Sequence, residues 1–479
     1  MNPLIILILF FSYFLLIFFI SHITSKNATS TDFFNANKSS PWYVVAFGMI
    51  GTSLSGVTFI SVPGEVGNSA FSYFQIVLGY LLGYYVIANL LMPLYYKLKL
   101  ISIYSYLEDR FGIWSYKTGS FFFLLSRIIG SSFRLFLVAS VLQIVFFENL
   151  NIPFSISVLA TIALIWIYTY KGGIKTIVWT DTFQTFFMLS AVIITIYLII
   201  DAMGLSVIEA SNNIYSSKFS NVFTFDWRDN KDFFKQFFSG AFIAIVMTGL
   251  DQDMMQKNLT CKNLKDAQKN IFWFCIVLVF ANILFLMLGA LLYMYADFVG
   301  MILPDRSDNL YPLIAINHLS TFGGIVFLLG IIAAAYSSAD SALTSLTTAF
   351  CIDFLDFEKK NNSQKTSIRL KVHLAFSIIL FIVIQIFNLI NDESVINAIF
   401  KAAGYTYGPL LGLFAFGIFT NYKIRDRYSI IVCFISPLIC YVINMYSEML
   451  LFGYKFGFEI LLLNGALTFI GLFLISLKK

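Results

Sequence analysis

Apolar stretches as long as a bilayer is thick recur along this chain with almost no polar sequence between them. A helix that crosses the hydrocarbon core needs about 20 predominantly apolar residues. Thirteen segments meet that length, roughly 2–21, 42–62, 71–96, 119–147, 153–169, 177–200, 235–256, 271–296, 322–350, 372–390, 395–420, 429–446 and 457–476. Because lipid cannot satisfy a backbone N–H or C=O, such segments must close their own hydrogen bonds as helices. The chain therefore reads as an all-α polytopic membrane protein. Composition agrees: 59% of its 479 residues are hydrophobic and only 12% are charged, about half the charge of a soluble domain. No polar stretch is long enough for an attached kinase, nucleotide-binding or receptor module. The first run, Pro3 to Ile20, is too long for a signal-peptide core, lacks a basic leader and is followed by Ser21-His22-Ile23-Thr24, so it is kept as a spanning helix.

An odd number of spans puts the termini on opposite sides. With the N-terminus outside, the cytoplasmic loops and helix ends, from Lys26 through Lys257 to Lys479, carry 22 of the 31 basic residues. The outer ones carry six, and Arg127, Arg134 and Lys401 fall within predicted spans. Positive charge gathers on the cytoplasmic side of membrane proteins, so this orientation leaves the C-terminus inside. The excess of base then reports topology and anionic lipid headgroups rather than a nucleic-acid partner. The expected location is a cell membrane, of the bacterial inner-membrane type. Five cysteines without metal-ligand spacing and three histidines far apart give no support to a transition-metal site.

Two segments are interrupted. The second carries Gly48, Gly51, Gly56, Pro63 and Gly64, and the seventh carries Gly240 and Gly249 before Asp251-Gln252-Asp253. Counting the second segment as core helix one makes the seventh core helix six, the matching position in the other half of a five-plus-five repeat. Discontinuous helices at corresponding positions of two repeats point to a transporter's binding site. The domain plan is then a single transporter unit over 1–479: an extra N-terminal helix and loop (1–40), a ten-helix core (41–421) and two C-terminal helices (422–479). Glycine is also common in membrane helices generally, which is the competing account of the same pattern.

The ninth segment holds the most unusual polar sequence, I-I-A-A-A-Y-S-S-A-D-S-A-L-T-S-L-T-T over 331–348. At 100° per residue Ala334, Ser337, Ser338, Ser341, Thr344, Ser345 and Thr348 share one broad face, with Asp340 at its flank. Hydroxyls turned inward suit a hard cation that takes oxygen ligands; small residues that let helices approach closely are the alternative. An ionisable group such as Asp340 inside a spanning helix is costly and marks a functional site by default. Around Ser53-Leu54-Ser55-Gly56 an unwound backbone could turn carbonyls inward. The carbonyls of Gly51, Leu54 and Ala334 with the hydroxyls of Ser337 and Ser338 offer five neutral oxygens, fit for a releasable monovalent ion and poor for calcium, which prefers carboxylates. Asp181 is either a helix N-terminal carboxylate favoured by the dipole or, with hydroxyls of the ninth segment, part of a second cation site. Arg127, Arg134 and Lys401 each need a partner: Asp181, Asp340 or Asp251, or a carboxylate on the cargo.

As a set, S-L-S-G-V-T-F-I-S-V-P-G, G-G-I-K-T-I-V-W-T-D-T-F-Q, G-L-D-Q-D-M-M-Q-K, A-A-Y-S-S-A-D-S and Y-G-P-L-L-G-L-F with F-T-N-Y-K resemble the sodium:solute symporter family of sodium–glucose, sialic acid, proline and monocarboxylate cotransporters. The resemblance covers nearly the whole chain and implies a LeuT-type fold with sodium as the co-transported ion. It places the principal sodium site on Gly51, Leu54, Ala334, Ser337 and Ser338. A second, present in some members, falls on Asp181, Ser338 and Ser341, with Asp340 standing where a hydroxyl or small residue is usual. Sugar-facing positions fall on Thr58, Val77, Met247, Leu278 and Lys401, and the acidic and lysine sugar contacts are missing at Val77 and Leu278. The polar set left at the midplane, Ser53, Thr58, Tyr73, Gln75, Arg134, Thr248 and Lys401, suits an anion or zwitterion such as a sialic acid, a monocarboxylate or an amino acid. The expected partners are a small solute, sodium and the bilayer, with no obligate protein partner evident. A proton-coupled transporter or exchanger of the same fold is the runner-up, with a channel or sensor behind it. An enzyme is disfavoured because no metal set or serine–histidine pairing is present.

Overall fold

The computed structural model describes residues 3–25, 38–100, 102–143, 147, 151–355, 357, 360, 362–390 and 394–477. Of the basic residues that orient the chain, Lys26, Lys359, Lys478 and Lys479 lie outside the described residues, as do the side chains of Lys171 and Lys175. Helix meets every predicted segment. In chain order the main helices are α1 (Pro3–Ser25), α2 (Trp42–Ser53), α3 (Gly56–Ser69), α4 (Tyr73–Val86), α5 (Ile113–Leu142), α6 (Phe154–Ala202), α7 (Phe233–Ala244) and α8 (Gln252–Asn258). They continue as α9 (Leu264–Phe298), α10 (Thr321–Leu355), α11 (Asn362–Ile390), α12 (Val395–Thr406), α13 (Gly408–Phe419), α14 (Ser429–Met445) and α15 (Ile460–Leu474). By length and apolarity seven of the described helices qualify as membrane spans, or up to nine when each bent pair counts as one, beside shorter apolar helices that include α2 and α15.

One boundary differs from expectation. The fifth and sixth segments form a single helical run, α6, which passes through Gly172 and Gly173. Asp181 therefore sits deep inside a helix and not in a first turn, so the N-terminal dipole does not account for it.

The interruptions fall where glycine and capping residues put them. Between α2 and α3 the helix opens at Leu54 (φ −82°, ψ 67°) and Ser55 (φ −71°, ψ −179°). The seventh segment bends by 70° between the stretch Phe233–Gly249 and α8. There Asp251 caps the new helix, its carboxylate accepting from Asp253 N at 3.0 Å and Met254 N at 3.4 Å. A third bend, of 48°, separates α12 from α13, where Pro409 sits in the first turn of α13 and cannot donate to the preceding helix.

Burial sorts centre from rim. The most apolar window of α10 is 83% buried and that of the span Asp426–Met445 only 22%, so α10 is the axis of the bundle while α14 turns most of its surface to lipid. Helix α10 packs on α6, α5, α3, α2 and α11. Helices α4 and α7 cross so closely that a Cβ added to Gly240 would strike the carbonyl of Ile76, the small-residue contact by which membrane helices approach.

Candidate functional site

The broken α2–α3 segment lies across the hydroxyl-rich stretch of α10. A Cβ built on Gly51 would stand 3.1 Å from Ser337 Oγ and 3.2 Å from Asp181 O. One built on Gly56, beyond the break, would stand 3.5 Å from Ile331 Cδ1 and 3.8 Å from Ala335 Cα. The break is thus flanked on α10 by the turn holding Ala334, Ser337 and Ser338, all buried. The last carbonyls of α2 have no helical amide to receive, as at any helix C-terminus. Ser337 Oγ is buried without a hydrogen-bond partner, and Ser338 Oγ donates to Ala335 O at 3.1 Å, which leaves its own oxygen free to accept. The carbonyls of Gly51, Leu54 and Ala334 and these two hydroxyls are the five expected oxygens, carried by two elements about 280 residues apart in the sequence that meet where Gly51 faces Ser337. They are hard, neutral donors of the kind a sodium ion takes.

Next to this shell lie two buried ion-pair groups. Lys257 Nζ meets Asp181 Oδ2 at 2.7 Å and also donates to Thr52 Oγ1, while Thr52 Oγ1 donates to the same carboxylate oxygen at 3.0 Å. Arg127 pairs with Asp253 and, at 3.6 Å, with Asp251. Tyr407 OH donates to Asp251 Oδ2 at 2.8 Å and Ser341 Oγ donates to Asp253 Oδ2 at 3.1 Å. Two expectations change here. Lys257, counted from sequence among cytoplasmic loop residues, is 1% exposed, because the 70° bend turns α8 back into the protein instead of out toward water. Ser341, expected beside Asp181, serves Asp253. Asp340 is fully buried, and its Oδ1 accepts the amide of Ser341 at 2.5 Å.

A central cavity opens beside the two breaks. Ser53, Thr58, Tyr73, Arg134 and Thr248 line it, as the sequence suggested. So do Thr52, Tyr80, Tyr84, Met247 and Asn282, of which only Met247 had been marked. Tyr84 OH and Thr248 Oγ1 are 3.4 Å apart, and Tyr73 OH and Tyr80 OH 3.3 Å. Arg127 and Arg134 both reach this cavity, but they differ in what they meet. Arg127 is committed to Asp253 and Asp251, whereas Arg134 Nε is buried with no hydrogen-bond partner and no described carboxylate lies in ion-pair range of Arg134.

Two expected cargo contacts are elsewhere. Gln75 is buried against the loop before α7, its Nε2 donating to Lys231 O at 3.0 Å and its Oε1 accepting from Thr224 N at 3.4 Å. Lys401 is exposed on α12 and lines a second cavity with Glu65, Lys231 and Asn444. The reason is rotational: Ile399, Phe400 and Ala403 occupy the packed face of α12, and Lys401 points off it. Tyr73 and Ile396 line both cavities, and Tyr73 stacks on Phe400 with centroids 6.4 Å apart and planes 7° from parallel. That pair stands between the central and the second cavity. The tyrosines and Asn282 were missed because an aromatic or amide in an apolar helix has no periodic signature that tells cavity from core; Tyr84, four residues from Tyr80 and on the same face, was the available hint.

Comparison with known proteins places this geometry. A model of the sodium:solute symporter family matches residues 33–425. A sodium/sialic acid symporter of Aliivibrio fischeri is 27% identical over 413 residues, 83% of this chain and 79% of that protein. The mouse sodium-coupled monocarboxylate transporter 2 is 25% identical over 418 residues, 83% of this chain and 65% of that one. Among solved structures, the substrate-bound outward-open state of a sodium-coupled sialic acid symporter superposes with a TM-score of 0.83 at 21% identity, covering 99% of both chains. A nucleobase-cation-symport-1 family transporter in a closed conformation matches with a TM-score of 0.55 at 16% identity, over 92% of this chain and 94% of its own.

Proposed function

The chain belongs to the sodium:solute symporter family, and from that premise we propose that it imports a small organic anion, held by Arg134 in the central cavity, together with sodium bound where α2 breaks against α10. It is a multi-pass membrane transporter with the LeuT-type fold and sodium as its co-transported ion, not an enzyme. The observation that carries the choice of cargo is Arg134, an arginine facing the cavity with no described carboxylate in ion-pair range. A guanidinium in that position is a bidentate receptor for a carboxylate. The sialic acid and monocarboxylate relatives carry cargo of that charge.

Ser53, Thr58, Tyr73 and Thr248 supply the surrounding hydroxyls. Sodium held by Gly51, Leu54, Ala334, Ser337 and Ser338 joins the broken segment to the central helix, so the ion's preference for the joined arrangement is also a preference for the cavity shape that accepts cargo. Ion and cargo then raise each other's affinity by the same factor. The Tyr73–Phe400 pair is the outer partition that must part for cargo to enter. The N-terminus outside, a single transporter unit over 1–479 and a bacterial-type inner membrane complete the proposal, supported by the charge asymmetry of the loops.

Purified protein heated with a panel of carboxylates, sialic acid among them, and with their neutral amides, in sodium and in choline, tests this. Selective stabilisation by a carboxylate, greater in sodium, is expected because a ligand bound to the folded state raises its apparent stability. Equal stabilisation by acid and amide sinks the anionic cargo, and indifference to sodium sinks the ion site.

A further inference from the structure

Lys257 sets a cation of the protein's own against Asp181, the carboxylate around which the sequence places a second cation site. The residues expected for such a site centre on Asp181, and one of its two oxygens is already engaged: Lys257 Nζ lies 2.7 Å from Oδ2 and Thr52 Oγ1 ties both together, while Oδ1 is buried without a hydrogen-bond partner. Lysine and aspartate are 1% and 0% exposed, so no water screens them. The ammonium also faces Asp253 and Asp340, the other carboxylates on this side of α10, and Ser337 faces Asp181 from the principal shell. Ser341, the hydroxyl expected to complete the second site, is turned to Asp253 instead.

A sodium ion placed on Asp181 Oδ1 would sit within about 6 Å of this ammonium. At an effective dielectric of about 20, repulsion between unit charges at that distance weakens binding on the order of a hundredfold. An ammonium also cannot serve as a ligand, since it has no lone pair to give. The Gly51, Leu54, Ala334, Ser337 and Ser338 shell is made of neutral oxygens, and no hydrogen bond of the described structure joins Lys257 to any of those five residues.

We infer that Lys257 is a tethered cation that fills the second cation position permanently, so that this transporter carries one sodium per solute. The inference rests on the sodium site proposed at the α2 break and adds the number of ions to it. Lys257 reaches Asp181 from α8, just past the bend, and thereby links α8, α2 and α6 with a charge that a sodium-loaded site would have to recruit from solution on every cycle.

The test is equilibrium binding of radioactive sodium to the purified, full-length transporter, which needs no knowledge of the solute. Wild-type protein is expected to bind one ion per chain. Lys257→Gln, purified in high sodium to support the stranded Asp181, is expected to bind two, and Lys257→Arg, which keeps the tethered charge, to bind one. Two ions on wild-type protein overturn the inference while leaving sodium coupling intact. A count of one in folded Lys257→Gln also overturns it, since the lysine is then not what excludes the second ion. No sodium on wild-type protein overturns the sodium site itself. If Lys257→Gln does not fold, the wild-type and Lys257→Arg counts still decide.

Discussion

Arg127 and Arg134 lie two helical turns apart on one face of α5, and the structure predicts opposite fates for their loss. Arg134→Gln removes a cation whose Nε has no hydrogen-bond partner and which forms no ion pair with a described carboxylate. Its cost should fall on cargo alone. Hydrogen bonds to a charged partner contribute about 1.5–3 kcal/mol, so losing a bidentate contact costs about 3 kcal/mol, or roughly 150-fold in affinity. KM for a carboxylate should rise by about that factor at unchanged surface abundance, and Arg134→Lys, which keeps the charge but not the fork, should fall between. Arg127→Gln instead strands Asp253 and Asp251 in a site that is 1% exposed or less. Removing one partner of a buried pair costs about 3–5 kcal/mol, a large share of the 5–15 kcal/mol typical of a folded protein, so abundance should drop for every cargo. Surface labelling and initial uptake rates, measured on the same cells, separate the two. If Arg134→Gln depletes the protein as Arg127→Gln does, or leaves carboxylate uptake untouched, the assignment of Arg134 to the cargo is wrong.

Ser337→Ala and Ser338→Ala should each raise the sodium concentration for half-maximal uptake by roughly tenfold, about 1.4 kcal/mol per lost oxygen ligand, at normal abundance, because Ser337 Oγ faces Asp181 without a hydrogen bond of ordinary geometry and Ser338 bonds only within its own helix; an unaltered sodium curve in the double variant moves the site. Lys401→Gln should change carboxylate uptake by no more than about fivefold, the scale of an exposed charge, and a loss matching Arg134→Gln would return Lys401 to the cargo site. Burial pushes the carboxyl of Asp308, in the loop before α10, up to about 6 from 3.8 while its Oδ2 accepts from Val395 N at 3.0 Å. The folded state then holds that proton more tightly than the unfolded one, so stability is greatest below pH 4 for this group and falls by about 3 kcal/mol as pH rises through 6. A melting temperature followed from pH 4 to 7 should show that decline in wild-type protein and lose it in Asp308→Asn.

The sequence alone determined those features that are properties of a few consecutive residues. Apolar length and lipid's inability to bond a backbone dictated helices, and every predicted segment proved helical. The opening at Leu54–Ser55 and the bend before Asp251 were legible because glycines and a capping aspartate act within one turn. Ser337 and Ser338 stood out because hydroxyls are costly in a spanning helix without a purpose. What each charge meets was decided only by tertiary structure. Arg127 and Arg134 look alike in sequence, and their difference lies in α8, more than a hundred residues on, which brings Asp253 into an ion pair with one and no described carboxylate within that range of the other. Lys257 read as a loop residue because hydropathy cannot show that a 70° bend folds α8 inward onto Asp181. Gln75 and Lys401 were polar residues in apolar helices, but a residue's depth says nothing of which way its helix is rotated. That rotation is set by the packing of Ile399, Phe400 and Ala403 on one side of α12, a contact between elements distant in sequence and therefore absent from any local pattern.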